Sequence, residues 1–147
     1  MNVVERFAEA FNRRDVDGLL ACFTADATYR DLFYGPHAGQ TALRGMFERM
    51  FHEGRDYRWS MDAIVMDDRR AAAEWTFGYT ATAAVPRSEG RRVRFSGMSI
   101  FELSGGEGEG GRIRAYREYA NTGAALLQLG FAPESIAKVL SRGLPTG

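Results

Sequence analysis

Two carboxylates in this chain stand among aromatic and apolar neighbours. Asp31 sits between Tyr29 and Phe33 in a run whose alternation places all three side chains on one face of a strand. Glu118 stands near the end of a strand-like run within GRIRAYREYANTGAALLQLG, Gly111 to Gly130, which passes directly into an apolar helix. A carboxylate among aromatic groups is costly to bury unless it is paired or put to use. Burial raises its pKa toward neutrality, where the group can both accept and return a proton. Set on the first and last strands of one sheet, such a pair could serve as base and acid at opposite ends of a bound substrate. Each residue also has a plain alternative. Glu118 shares its strand with Arg112, Arg114 and Arg117 and could pair with one of them on a solvated face, and Asp31 could accept the turn amides of YGPHAG.

Trp75, Phe77 and Tyr79 alternate along AAEWTFGYTATA and form one face of a further strand, with Glu74, Thr76, Gly78 and Thr80 opposite. Such a stripe walls a cavity for a flat polycyclic ligand or packs a core. Tyr29 and Tyr79 add phenols able to donate to a substrate carbonyl, the role of an oxyanion donor. Other chemistries find less footing. His37 in the YGPHAG turn and His52 at a helix end read as exposed, and with one cysteine and no HxxxH, HxH or CxxC spacing the chain predicts no dedicated transition-metal site. It has no GxSxG or Ser-His-Asp arrangement for covalent catalysis. The loop SGGEGEGG lacks the lysine and following helix of a P-loop and reads as a hairpin connection. Proton transfer without a cofactor is the chemistry that remains.

The elements that must position these groups follow from the same patterning. A length of 147 residues fits one domain, 1–147, able to enclose a core and a small-molecule pocket. The formal net charge is +0 with no long block of one sign, which predicts small molecules or protein as partners rather than nucleic acid or an anionic membrane. The single cysteine, Cys22, falls in an apolar helical pattern and fits a reducing cytoplasm. MNVVERFAEAF begins with a helical period and shows no signal-peptide pattern, and no apolar run reaches transmembrane length.

Val3, Val4, Phe7, Ala8 and Phe11 make the first segment an amphipathic helix. Asp15 caps a short second helix carrying Val16, Leu19, Leu20 and Phe23. A strand with Ala27, Tyr29, Asp31 and Phe33 on one face follows, then the YGPHAG turn, then a third helix with Leu43, Met46, Phe47, Met50 and Phe51. From Asp56 the runs YRWSMDAIVM, AAEWTFGYTATA, RVRFSGMSIFEL and the Glu118 strand predict a largely antiparallel meander. Leu126, Leu127 and Leu129 lead to Gly130 as a helix stop, and Pro133 opens a last helix with Ile136, Val139 and Leu140. Helices followed by consecutive strands give an α+β domain with helices gathered on one face of a curled sheet.

NRRDVDGLLACFTADATY, RFSG at Arg94 to Gly97, and GRIR-x-x-REY followed by LLQLG at Leu126 to Gly130 together resemble the NTF2-like superfamily, in its branch of SnoaL-like polyketide cyclases and ketosteroid isomerase-like proteins. The resemblance runs over nearly the whole chain. It implies a cone: a strongly curved, mostly antiparallel sheet wrapped around N-terminal helices, with a C-terminal helical extension. In the SnoaL-like cyclases the position of Glu118 carries an aspartate that deprotonates an activated carbon for an intramolecular aldol closure, while their assisting histidine falls on Phe101. Asp31 matches the general base of ketosteroid isomerase, whose oxyanion-hole tyrosine and protonated aspartic acid fall on Phe7 and Ser99. Limonene epoxide hydrolase shares Tyr29 and has aspartate at Glu118, but its arginine and other aspartate fall on Trp75 and Phe77. The register implied places Tyr116, Glu118 and Ala120 inward. The expected catalytic pair is therefore Glu118 and Asp31, in a pocket of Tyr29, Phe33, Trp75, Phe77, Tyr79, Ser99, Tyr116, Phe11 and Met50. The function implied is a cofactor-independent cyclase or isomerase acting on an apolar, polyketide-like carbonyl compound, and relatives pair through the exposed sheet face as homodimers. The alternatives are a non-catalytic ligand-binding or dimerisation domain, and a hydrolase or dehydratase that uses the same carboxylates on water.

Overall fold

The apolar period of α1 (Val3–Asn12) does what its spacing requires: Val3, Val4, Phe7, Ala8 and Phe11 are all buried, and Asn2 with Glu5 closes a capping box at its start. The Asp15 carboxylate accepts the Gly18 amide at 2.9 Å and opens α2 (Val16–Ala21). Phe23, expected on that helix, instead begins β1 (Phe23–Asp31), because the helix ends at Cys22. The computed structural model describes residues 1–105 and 111–146, so most of the SGGEGEGG loop read as a hairpin connection lies outside the described residues.

Phe33 stands past the end of β1, in the turn that follows. YGPHAG is more than a turn: Gly35–Ala38 folds back as β2, a short edge strand antiparallel to β1 with His37 opposite Tyr29 and half-buried rather than exposed. Gly35 at φ 75° and Gly39 at φ 85° bracket it, a left-handed backbone that only glycine adopts at no steric cost. In α3 (Gln40–Glu53) the residues Leu43, Met46, Phe47, Met50 and Phe51 are buried as the period predicts.

The remaining elements are β3 (Gly54–Met66), β4 (Arg70–Ala81), β5 (Arg92–Leu103), β6 (Ile113–Ala120), α4 (Thr122–Gln128) and α5 (Pro133–Ser141). They complete a curved six-stranded sheet of order β2-β1-β6-β5-β4-β3 over a core shared with α1, α2 and α3. Strands β3 to β6 form the antiparallel meander expected. The exception decides the site. β1 lies beside β6 in parallel, with Tyr29 opposite Tyr116 and Arg30 opposite Arg117. One step further on each strand brings Asp31 and Glu118 to the same height on the same face.

Candidate active site

A cavity of about 500 Å³ opens on the concave face of the sheet. Phe11 and Met50 enter it from α1 and α3, Trp75, Phe77 and Tyr79 from β4, and Tyr29, Asp31, Phe33 and Glu118 from the β1–β6 seam. Glu118 therefore does not sit with the arginines of its own strand; Arg117 pairs with Glu102 at 3.2 Å. Ser99 and Tyr116 correct the sequence-based expectation. Both are fully buried and neither lines the cavity, because the Trp75 ring and the Tyr29 ring lie over them. Phe7 and Phe101, at positions where relatives carry polar groups, pack edge-on or tilted against Tyr116 in the core.

The acids differ in their bonding. Asp31 Oδ2 accepts the amides of Phe33 at 2.7 Å and Tyr34 at 2.9 Å, so the turn-amide alternative and cavity placement hold together. Burial pushes its carboxyl above the ordinary 3.8, opposed by those amides and by His37. Glu118 is half-buried in the cavity wall and accepts the Tyr29 hydroxyl at 3.3 Å. Desolvation pushes its carboxyl well above the ordinary 4.5, and the neighbouring charge of Asp31 pushes the same way, against hydrogen bonds from Tyr116, the Leu32 amide and Tyr29. Neither acid forms an ion pair among the described residues.

Behind Glu118 lies a polar chain inside the aromatic core. Trp75 Nε1 donates to Ser99 Oγ at 2.8 Å, and Ser99 Oγ donates to Tyr116 Oη at 2.8 Å. Gly97 makes room for the indole: a β-carbon there would lie 2.7 Å from the Trp75 ring and 2.7 Å from the Ala120 methyl. Tyr29 stacks on Tyr116 with centroids 4.2 Å apart, which holds the two phenols side by side under the carboxylate.

Several wall residues escaped the sequence. At one side Tyr34 donates to Glu53, which also receives Arg49 Nε at 2.9 Å, with the Arg49 guanidinium 4.8 Å from the Tyr34 ring centroid. Trp59 enters from β3, where the Asn12 side chain holds both its amide and its carbonyl, at 2.7 and 2.9 Å. The C-terminal segment closes part of the wall. Phe131 N bonds Leu126 O and Gly130 N bonds Leu127 O with Gly130 at φ 81°, a Schellman stop that turns Leu126, Leu129 and Phe131 onto the cavity. Tyr57 spends its hydroxyl on Met50 O at 2.6 Å. Tyr79, stacked on Tyr57, has no hydrogen-bond acceptor among the described residues, and its phenol is pushed up to about 12 by burial and by Glu53 and Asp31. Among the described residues no three His, Cys, Asp or Glu side chains converge as metal ligands, and no helix is long and apolar enough to cross a membrane.

A curved α+β sheet with carboxylates and phenols inside its concave face defines a cone-shaped fold of the NTF2-like class. The chain belongs to the family of SnoaL-like domains, whose model matches residues 4–116. Asp31 lies within that match; Glu118, α4 and α5 lie beyond it. A protein from Silicibacter sp. TM1040 assigned as a polyketide cyclase is 25% identical, over 86% of this chain and 91% of its own, with a TM-score of 0.69. One from Xanthomonas campestris pv. campestris, assigned likewise, is 24% identical over 86% and 93%, with a TM-score of 0.69. An epoxide hydrolase of Mycobacterium tuberculosis resembling limonene epoxide hydrolase is 20% identical over 97% and 94%, with a TM-score of 0.67. No curated protein matches the sequence.

Proposed function

We propose that this protein is a cofactor-independent enzyme that moves protons on an apolar, polyketide-like carbonyl compound, closing a ring or shifting a double bond. Glu118 is the principal acid/base and Asp31 its partner. The observation that carries this reading is the β1–β6 register, which sets two desolvated carboxylates side by side in an aromatic cavity with no ion pair to either among the described residues. Glu118 takes a proton from the carbon next to the substrate carbonyl. The resulting enolate oxygen accepts the Tyr79 hydroxyl, the wall phenol with no acceptor among the described residues. In an aldol closure the enolate carbon attacks a second carbonyl and the alkoxide takes back the proton held on Glu118; in an isomerisation Glu118 returns its proton to the distal carbon. Phe33, Phe77 and Trp75 supply the faces on which a flat ring system stacks.

The test is a panel of linear and polycyclic polyketones followed for product, with Glu118→Gln and Asp31→Asn beside the parent. Turnover should fall by about 10²–10⁴ in Glu118→Gln, the usual worth of a positioned acid/base. If both variants convert substrate at the parental rate, the mechanism is wrong. If the parent binds polyketones and converts none, the chain is a carrier.

A further inference from the structure

We propose that α5 is a hinged cover over the cavity, held down by the ligand, and that its Val139 meets the ligand's outer end. Attachment differs on the two sides of Gly130. Before it, α4 is fastened to the sheet. The Gln128 side chain accepts the Arg94 amide at 2.8 Å and donates to the Arg94 carbonyl at 2.9 Å, as a neighbouring strand would, and the buried Ser88 hydroxyl donates to Leu129 O at 2.8 Å. Past Phe131 the fastening stops. Among the described residues, every hydrogen bond made by residues 132–146 closes within that stretch, and none of them forms an ion pair. α5 has no fully buried residue. Ile136 and Val139, one turn apart, are half-buried against the core, and Val139 also lines the cavity, as does Arg142 just past the helix end.

A nine-residue helix is marginal in water by itself. One that rests on a half-covered apolar face, with no polar tie to the body of the protein, therefore opens at little cost. The joint is Gly130, whose left-handed φ of 81° turns the chain between the bonded Leu129 and the unbonded stretch. Val139 faces space where a core valine would have neighbours. An apolar ligand in the cavity supplies them, so filling the cavity draws α5 down and shuts water away from Asp31 and Glu118. The outer end of the ligand is then read by α5 and not by the sheet. This inference rests on the cavity being the ligand site, as the functional reading does, but not on the ligand being converted.

The experiment is amide hydrogen exchange of the full chain, read by mass spectrometry. The probes are 8-anilinonaphthalene-1-sulfonate, a flat aromatic dye, and the polyketone that binds best. In the free protein the bonded amides of α5 should exchange about a hundredfold faster than those of α4. With the cavity filled they should slow by about tenfold or more, since a ligand that binds only under a closed cover stabilises closure by mass action. Val139→Ser should weaken probe binding about threefold, part of the transfer of a half-buried valine, and shrink the slowing. Lys138→Ser, a neighbour on the exposed side, should bind as the parent does, which separates lost contact from a frayed helix. α5 amides as slow as those of α4 in the free protein, or unchanged by a bound probe, overturn the proposal. So does a cavity that takes up neither probe, and parental binding in Val139→Ser removes that residue from the contact. Slowed exchange over a ligand that is never converted sinks the acid/base reading and leaves the cover standing; turnover lost in Glu118→Gln beside an unmoved α5 does the reverse.

Discussion

Glu53 and Glu118 line one cavity, and each accepts a tyrosine hydroxyl, yet the structure treats them as opposites. Glu53 ends α3, receives Arg49 at 2.9 Å one helical turn away, and its carboxylate is answered by a cation. Glu118 sits on a central strand with a second acid beside it and, among the described residues, no ion pair. A carboxylate bonded by arginine is spent on structure. One answered by phenols and crowded by a like charge keeps a labile proton, and that is the condition for acid/base work.

The largest effect expected separates the two acids in turnover. Glu118→Gln should cost about 10²–10⁴ in kcat, whereas Glu53→Gln should cost less than about tenfold. A loss of the same size in Glu53→Gln would break the contrast and draw the mouth of the cavity into the chemistry.

Packing beneath Glu118 supplies the next effect. Gly97→Val would drive a side chain into the Trp75 ring and the Ala120 methyl, both 2.7 Å from the first added carbon. Overpacking of this kind costs about 1–3 kcal/mol, readable by urea unfolding. Parental stability would mean that the indole has room to move and does not pin the hydroxyls behind Glu118.

Linkage sharpens the comparison at a smaller scale. Glu118 has its folded-state pKa raised above the ordinary 4.5, so its stabilising contribution is full below that value and is lost as pH climbs through the raised one. Asp31 acts with the same sign from 3.8 upward. The lowered carboxyl of Asp67, held by the Arg69 and Arg70 amides, acts in the opposite sense. The difference between parent and Glu118→Gln isolates the first term: each pH unit of rise above the ordinary range should remove about 1.4 kcal/mol from the parent relative to the variant, until the raised value is passed. Parallel stability curves for the two proteins from pH 4 to 8 would refute the desolvation of Glu118.

Much of this contrast was legible in the residues, and its limits are physical. Alternation along Tyr29, Asp31 and Phe33 and the stripe Trp75, Phe77 and Tyr79 read correctly as inward faces, because a period of two needs no knowledge of partners. The bounds of β5 and the start of α5 at Pro133 were equally plain. Adjacency was not. That β1 lies beside β6 joins residues nearly ninety positions apart and leaves no periodic trace; the family resemblance, not the spacing, turned Glu118 inward. Ser99 was misplaced for a related reason: its side chain faces inward, but the Trp75 indole is laid over it by the space at Gly97. Nothing in the spacing of Arg49 and Glu53 announces that Tyr34 turns back to donate to Glu53, which Arg49 also bonds.

The smallest effect tests that last pair. Arg49 is 63% exposed and Glu53 22%, so their attraction is screened by water on one side. Arg49→Leu should therefore lower stability by less than about 1 kcal/mol, as exposed pairs one helical turn apart do. Its more informative consequence concerns the other acid. The carboxyl resonance of Glu118 should titrate in Arg49→Leu as it does in the parent, since Arg49 is absent from the groups acting on it. If it shifts, the two ends of the cavity form one electrostatic unit, and the partner held by each acid is not what divides structure from chemistry here.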